Sequence, residues 1–269
     1  MELGHVGTAA IVGIVFALCI SVGLPLALIA LVHKKTHAAA STFFIGAATF
    51  FVFAMTLEQI LHAIVLTVCG ETLSGNIWLY GLYGGIAAGL FEEAGRYVAM
   101  RFFMKQRFSL PNALMYGVGH GGIEAMLIVG LTSVNNLLAA VMINNGGIES
   151  SLSLMDEATR AATVEQLSAL WTLPGYQFFL GGIERIFAIV LQIALSVIVY
   201  QAVKQGKKSY WLLAFAVHAF VDFVTVVAAN YLHIVLVEVF VGILAAGAVG
   251  LAVLLCKRNP EEPGNSGMW

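Results

Sequence analysis

An all-α polytopic membrane bundle, of about seven transmembrane helices with an interfacial helix in one outer loop, is the fold this sequence predicts. Three observations point to it. First, 60% of the residues are hydrophobic and 10% are charged, with a mean hydropathy of +0.91, whereas soluble domains carry about 25% charged residues. Second, the apolar stretches repeat at membrane-spanning length, since a helix needs roughly 20 such residues to cross a bilayer. Third, the basic residues gather at alternate ends of those stretches. The chain, residues 1–269, reads as one transmembrane domain. A net charge of -2 and a pI near 6.4 offer nothing to nucleic acid. Cys19, Cys69 and Cys256 are scattered, with no CxxC, and support neither a disulfide framework nor a zinc knuckle.

Taken in order, the predicted spans are 7–32, 41–68, 77–100, 112–141, 176–203, 210–230 and 232–256. The start of the chain has no basic n-region and its first apolar run ends at Lys34 and Lys35, the pattern of a retained helix rather than a cleaved signal. The fourth and fifth spans are long enough to tilt. The turn near Asn230 and Tyr231 is the least marked boundary. Ten of the 13 Lys and Arg follow the first, third, fifth and seventh spans: Lys34, Lys35, Arg101, Lys105, Arg107, Lys204, Lys207, Lys208, Lys257 and Arg258. The positive-inside rule then sets the N-terminus outside and the C-terminus in the cytoplasm of a cell membrane, expected to be bacterial.

The outer loop 142–175 is the one sizeable segment outside the spans. Ser153 with Asp156 resembles a cap box, and Leu152, Met155, Leu167, Leu170 and Trp171 recur at helical spacing, so an amphipathic helix is expected over about 153–171. It reads as an interfacial helix on the outer leaflet, with a substrate lid as the sharper alternative. The repeat of Gly121-Gly122-Ile123-Glu124 in Gly181-Gly182-Ile183-Glu184 is short enough to be helix-packing glycines.

Three polar clusters interrupt the apolar spans: Glu92-Glu93 with Arg96, His120 with Glu124, and His218 with Asp222. Charge at membrane depth costs at least a few kcal/mol, which makes a functional reading the default. With a rise of 1.5 Å per residue, Glu92, His120 and His218 all lie about 12–14 Å from the same end of their spans. Glu92 and Arg96, His120 and Glu124, and His218 and Asp222 are each four apart, hence on one helix face. Glycines 84, 85, 89, 95, 117, 119, 121 and 122 are expected to let the third and fourth helices approach closely. The plainer readings are a structural ion pair for Arg96 and a helix-bridging hydrogen bond for each histidine. Glu58 and His62 in the second span, with Glu184 and Arg185 in the fifth, are expected to form a structural or substrate-path network on the outer side of that layer. His233 and Glu238 are expected to be wetted at the interface.

Carboxylates and two histidines at one depth suit hydrolysis. A carboxylate can take a proton from water, one histidine can hold that water, and another can stabilise an oxyanion. GxSxG and HExxH are both absent. The same residues leave other chemistry open: a zinc hydrolase with His120, Glu124, His218 and Asp222 as ligands, a metal-ion or proton transporter, or a non-catalytic peptide-binding or immunity protein. Inverted repeats and broken helices, which mark many transporters, are not evident.

At these residues the chain resembles the glutamic intramembrane proteases: the CAAX prenyl endopeptidases, the bacterial CPBP proteins and the PrsW-type enzymes. Glu92-Glu93 with Arg96, Tyr116 with His120, and His218 with Asp222 match their three motifs. Gly119-His120-Gly121-Gly122-Ile123-Glu124 and Gly182-Ile183-Glu184-Arg185 are similar to the YhfC family of membrane peptidases, across essentially all the spans. The resemblance implies an intramembrane endopeptidase, cleaving near the cytoplasmic side without a cofactor. Glu92 or Glu93 would activate water with help from His120. His218 and the residue one turn on would form the oxyanion site. Arg96, Glu124, Glu184 and Arg185 would support them. The substrate would be a membrane-embedded or lipidated peptide within the lipid bilayer. Two departures stand out. Only Ala94 and Gly95 separate the glutamate pair from Arg96, where the prenyl endopeptidases have three residues, and Asp222 occupies the place of an asparagine.

Overall fold

The structure, a computed structural model, describes residues 3–260, and those residues form helices and short connections with no strand among them. The helices are α1 (Thr8–Thr36), α2 (Ala40–Ser74), α3 (Ile77–Val98, prolonged by a π-helical turn Ala99–Phe103), α4 (Leu110–Asn144), α5 (Ile148–Leu152), α6 (Glu157–Thr172), α7 (Tyr176–Gln205), α8 (Lys208–Tyr231) and α9 (Ile234–Arg258). Two of the long helices also carry internal π segments, Phe53–Glu58 in α2 and Met126–Gly130 in α4. Such insertions often mark functional sites.

Among the described residues six helices are long and apolar enough to span a membrane: α1, α2, α4, α7, α8 and α9. The expected seventh, over 77–100, does form as α3 but is not one of the six. Its sequence is diluted by five glycines and by Glu92, Glu93 and Arg96. Helix α2 runs to Ser74, beyond the expected end at 68. The indistinct turn between the last two spans is real: α8 stops at Tyr231, and His233 accepts from the Val235 amide at 3.3 Å to start α9.

The chain divides into two compact units. The first comprises Met1–Leu24 and Ala125–Ile186, and the second Pro25–Glu124 and Phe187–Trp269. In the first unit, Val6, Ala10, Ile14, Ala140, Ile143, Ile148, Leu152, Val164 and Leu170 make a core, with Leu167 and Trp171 packed against it. Leu167, Leu170 and Trp171 of α6 thus lie on the predicted apolar stripe, whereas Leu152 belongs to α5 and Met155, between the two helices, is exposed. The α6 cap differs from expectation. Ser153 closes α5 instead, and Asp156 is the N-cap of α6, accepting from the Thr159 amide at 3.0 Å and its hydroxyl at 2.7 Å. Asp156 wins because its extended backbone turns the carboxylate over the first free amides. Those hydrogen bonds from Thr159 hold its carboxyl below the usual aspartate value.

In the second unit the main pairing is α3 against α8. A Cβ on Gly85 would lie 2.4 Å from the Ala219 carbonyl oxygen, and one on Gly89 would lie 3.2 Å from both the Ala219 nitrogen and the Phe215 oxygen. The glycine ribbon, one residue per turn, lets two backbones touch. On α4, a Cβ on Gly119 would meet the Phe43 oxygen of α2 at 2.0 Å, and one on Gly121 would meet Gln192 of α7 at 2.9 Å. The glycines therefore serve different neighbours than expected. Gly85 and Gly89 of α3 receive α8 and Gly95 receives Phe53 of α2, while on α4 Gly117 and Gly121 receive α7, Gly119 receives α2 and Gly122 receives Pro25 of α1; Gly84 faces open space. That set of contacts is what places α3, α4, α7 and α8 side chains within reach of one another.

Candidate active site

Glu93 and Arg96 form the buried anchor of the polar layer. Neither side chain is exposed at all. The Arg96 guanidinium donates to Glu93 Oε1 at 2.9 Å and to the side-chain oxygen of Gln192. His218 Nδ1 lies 2.8 Å from the same Glu93 oxygen. The Trp211 indole, about two turns before His218 on α8, donates to the Glu93 carbonyl at 2.9 Å and ties α8 to α3 a second time. A charge so deeply buried must be matched by another charge and by hydrogen bonds, and Glu93 has both.

Glu92, one residue earlier and a third of a turn away, faces a different set. Its Oε2 lies 2.8 Å from His120 Nε2 and 3.9 Å from His218 Nε2. The Arg96 guanidinium stands 3.8 Å off. Gln192 Nε2 donates to Glu92 Oε2 at 3.0 Å and to Glu124 Oε2 at 2.7 Å. His218 Nε2 is 3.6 Å from Asp222 Oδ2, and that aspartate has 34% side-chain exposure, against 8% or less for Glu92, His120 and His218. His120 is packed edge-on against Phe50, ring centroids 5.3 Å apart, and beside Tyr116. Its buried Nδ1 has no hydrogen-bond partner. A bare lone pair costs less there than an orphan N–H, which assigns the ring proton to Nε2, facing Glu92.

The structure thus brings Glu92, Glu93, Arg96, His120, Glu124, His218 and Asp222 into one connected cluster in the second unit. Glu184 and Arg185 belong to the first unit, where adjacent side chains pair with each other, Arg185 Nε donating to Glu184 at 2.6 Å. Glu238 is buried rather than wetted, with 8% exposure, because it lies on the α9 face that also buries Val237 and Val241. His233 is exposed as expected.

Two parts of the site were missed by sequence reasoning. Gln192 links Arg96, Glu92 and Glu124; its signal was a lone amide within an otherwise apolar stretch of α7, four residues before Ser196. Glu58 was assigned to an outer network. It is buried at 6% exposure and lies within electrostatic range of Glu92, His218, Asp222 and Glu124. The π segment Phe53–Glu58 shifts its position on α2, a displacement no periodicity count contains. His62 Nε2 lies 3.1 Å from Glu58, and His62 Nδ1 2.7 Å from the Tyr83 hydroxyl.

A family model described as YhfC intramembrane metalloprotease matches residues 19–241. This chain belongs to the YhfC family. A protein of Bacillus subtilis (strain 168), described as uncharacterized membrane protein YhfC, is 41% identical over 231 residues, covering 84% of this chain and 88% of that protein. No solved structure matches. The YhfC match spans every residue of the cluster, from Glu58 to Asp222, and stops within α9.

The family description names a metal, and the donor set can be tested for one. Among the described residues no three His, Cys, Asp or Glu side chains are arranged as a ready metal cage, since Glu92 is closed by hydrogen bonds from His120 and Gln192. Successive donors, His120 Nε2 to Glu92 Oε2, Glu92 Oε2 to His218 Nε2 and His218 Nε2 to Asp222 Oδ2, lie 2.8, 3.9 and 3.6 Å apart. Two imidazoles and two carboxylates are the donor types that bind zinc, so the residues fit the ion by their chemistry without being preformed as a cage. Glu124, also among the four ligands expected from sequence, shares the Gln192 amide with Glu92.

Proposed function

We propose that this chain is an intramembrane endopeptidase whose reaction centre is Glu92, His120, His218 and Asp222. The observation that carries this reading is a buried glutamate set between two imidazole nitrogens, 2.8 and 3.9 Å away, inside an apolar helical bundle. Glu92 is the proton acceptor for the attacking water. Gln192 and His120 both address its Oε2 and fix the carboxylate in one orientation, so little reorganisation accompanies proton transfer. Glu93 does not touch the reacting atoms. It accepts from His218 Nδ1 and fixes that ring so that Nε2 faces Glu92 and Asp222, where an N–H meets the developing oxyanion. Asp222, partly exposed, completes the approach side. Arg96 neutralises Glu93 and, through Gln192, braces Glu92.

A metal-dependent form of the same reaction is favoured by one observation. A carboxylate behind a histidine, here Glu93 behind His218 at 2.8 Å, is the usual support of a metal-binding imidazole. Ligands drawn from Glu92, His120, His218 and Asp222 would hold a zinc ion with one position left for substrate, and the ion would polarise the scissile carbonyl as a Lewis acid. In that form the zinc-bound side chains would serve as ligands rather than as proton acceptor or N–H donor, while Glu93, Arg96 and Gln192 would keep their orienting roles.

The clustering of Arg101, Lys105, Lys204, Lys257 and Arg258 supports an orientation with the C-terminus in the cytoplasm and the scissile bond toward that side. The substrate class is then a membrane-embedded or lipidated peptide that enters the bundle from the bilayer. The test is a cleavage screen of transmembrane peptides in proteoliposomes, with wild type, Glu92→Gln and Glu93→Gln, each with zinc content measured. Glu92→Gln should lower turnover by about 10²–10⁴-fold while the protein stays folded. Unchanged turnover in folded Glu92→Gln would reject the assignment. Stoichiometric zinc in wild type, lost with activity on chelation, would decide for the metal-dependent form.

A further inference from the structure

At the end of the second unit where α3 and α7 terminate, the backbone does not simply fray. Helix α3 widens into the π turn Ala99–Phe103 and then tightens into a 3₁₀ turn Lys105–Arg107. Helix α7 ends at Gly206, with φ of 63°, where the Lys207 amide reaches the Ala202 carbonyl at 3.0 Å and the Gly206 amide the Val203 carbonyl at 3.3 Å. This is a Schellman termination, which only a left-handed residue allows. Between the two ends lies a cavity of about 510 Å³.

Its wall is of two kinds. Arg101, Lys105 and Lys204 supply three positive charges, and no carboxylate lines it. Among the described residues none of the three cations is in a salt bridge with a carboxylate. Lys105 sits over the Phe102 ring and Lys204 over the Tyr200 ring, each 5.9 Å from the centroid, and Lys204 also reaches the Asn259 and Pro260 carbonyls at 3.5 and 3.2 Å. Apart from Gln205 and Gly206 the rest is apolar: Met100 is buried at the floor, and Phe102 is 58% exposed at the rim. The bias of basic residues to one membrane side explains why cations occur at this edge. It does not explain why three of them, from two separate helices, line a single concavity with an apolar floor.

We propose that this cavity binds the headgroup of an anionic phospholipid, with the phosphodiester among Arg101, Lys105 and Lys204 and the acyl chains leaving past Phe102. A guanidinium and two ammonium groups suit a phosphate diester, and basic pockets at helix ends are the sites at which anionic headgroups are held. A free phosphate would use the cations alone. A lipid would also use the apolar floor and the exposed ring.

The experiment uses the full-length protein, purified and delipidated in detergent. Bound lipid is counted by native mass spectrometry after addition of phosphatidylglycerol, phosphatidylcholine or inorganic phosphate. Three variants are compared with wild type: Arg101→Gln/Lys105→Gln/Lys204→Gln, the single Lys105→Gln, and a charge-matched control, Lys34→Gln/Lys35→Gln/Arg258→Gln, whose residues lie outside the cavity. Wild type and control should retain phosphatidylglycerol and discriminate against phosphatidylcholine. The triple variant should lose affinity about tenfold or more, and Lys105→Gln should lose a measurable part of it. Three results would each overturn the proposal: equal loss in control and triple variant, equal retention of the two lipids by wild type, or displacement of phosphatidylglycerol by equimolar inorganic phosphate. The single variant, altered only at an exposed side chain, keeps the test decisive if the triple variant does not fold.

Discussion

Removing the Arg96 guanidinium should cost the fold far more than removing the carboxylate it pairs with. Arg96 is completely buried, and its two donor groups serve Glu93 at 2.9 Å and Gln192. In Arg96→Met both acceptors lose a charge-assisted partner, and Glu93 is left as a buried carboxylate whose remaining side-chain partner is His218. An uncompensated buried charge of this kind costs about 3–5 kcal/mol. No solvent-screening discount applies, because neither group is exposed. Glu93→Gln leaves a different residue: Arg96 still has Glu92 at 3.8 Å, and the amide can accept from it, so the cost should be smaller, about 1–3 kcal/mol. The double variant Glu93→Gln/Arg96→Met removes both charges and should be more stable than Arg96→Met alone, with a coupling of about 1–3 kcal/mol. Equilibrium unfolding in mixed micelles with increasing SDS measures all four proteins. Arg96→Met within about 1 kcal/mol of wild type would refute the reasoning, and so would strict additivity in the double variant.

Other outcomes follow from single features. Asp222→Asn should keep appreciable turnover and Asp222→Ala should lose much more, because an amide can still face His218 Nε2 across the 3.6 Å gap; equal losses accompanied by loss of zinc would move the assignment to a metal ligand. Gly85→Ala should destabilise by about 1–3 kcal/mol, since its Cβ would collide with backbone 2.4 Å away, whereas Gly84→Ala, with open space around it, should be neutral or slightly stabilising in the same unfolding assay. Asp156→Ala should fray the first turn of α6. The Asp156 carboxyl is held below its ordinary value by Thr159, so its contribution is present above the unfolded aspartate value and disappears as pH falls through the folded one. Amide exchange at Thr159 should therefore separate variant from wild type at neutral pH and not at strongly acidic pH; a difference that persists in acid would be evidence against the cap.

Helix existence was legible because the hydropathy signal is long and repeated, and the polar layer was legible because helical rise converts sequence distance into depth. Equal depth for Glu92, His120 and His218 in spans of opposite direction is a demanding coincidence for residues that never meet. What depth cannot supply is azimuth. The glycines were visible, but which neighbour each receives depends on the rotation of α3 and α4, and the bundle uses them for α8, α2, α7 and Pro25 of α1. The direction of Glu58 was hidden for a related reason: it ends the π segment Phe53–Glu58, whose rotation per residue a count along an ideal helix does not contain. Gln192 escaped notice because an uncharged amide barely perturbs hydropathy, although in a membrane interior its hydrogen bonds must all be found within the protein.

The two adjacent glutamates illustrate how helix geometry can separate roles that sequence leaves merged. Neighbouring residues on a helix point about 100° apart, since 3.6 residues complete a turn, so Glu92 and Glu93 cannot share partners equally. Two intervening residues place Arg96 three positions from Glu93 and four from Glu92, and both spacings lie within reach. The guanidinium takes Glu93 at 2.9 Å and leaves Glu92 at 3.8 Å. Glu93 is then held through Oε1 by both Arg96 and His218, with no exposure, and its buried Oε2 meets no hydrogen-bond donor. A carboxylate so enclosed is out of reach of an attacking water. Glu92 holds weaker ties to neutral groups, His120 and Gln192, and faces the side where Asp222 is open. The shorter spacing to Arg96, which set this chain apart from the prenyl endopeptidase pattern, is thus what would free the first glutamate for water and confine the second to holding His218.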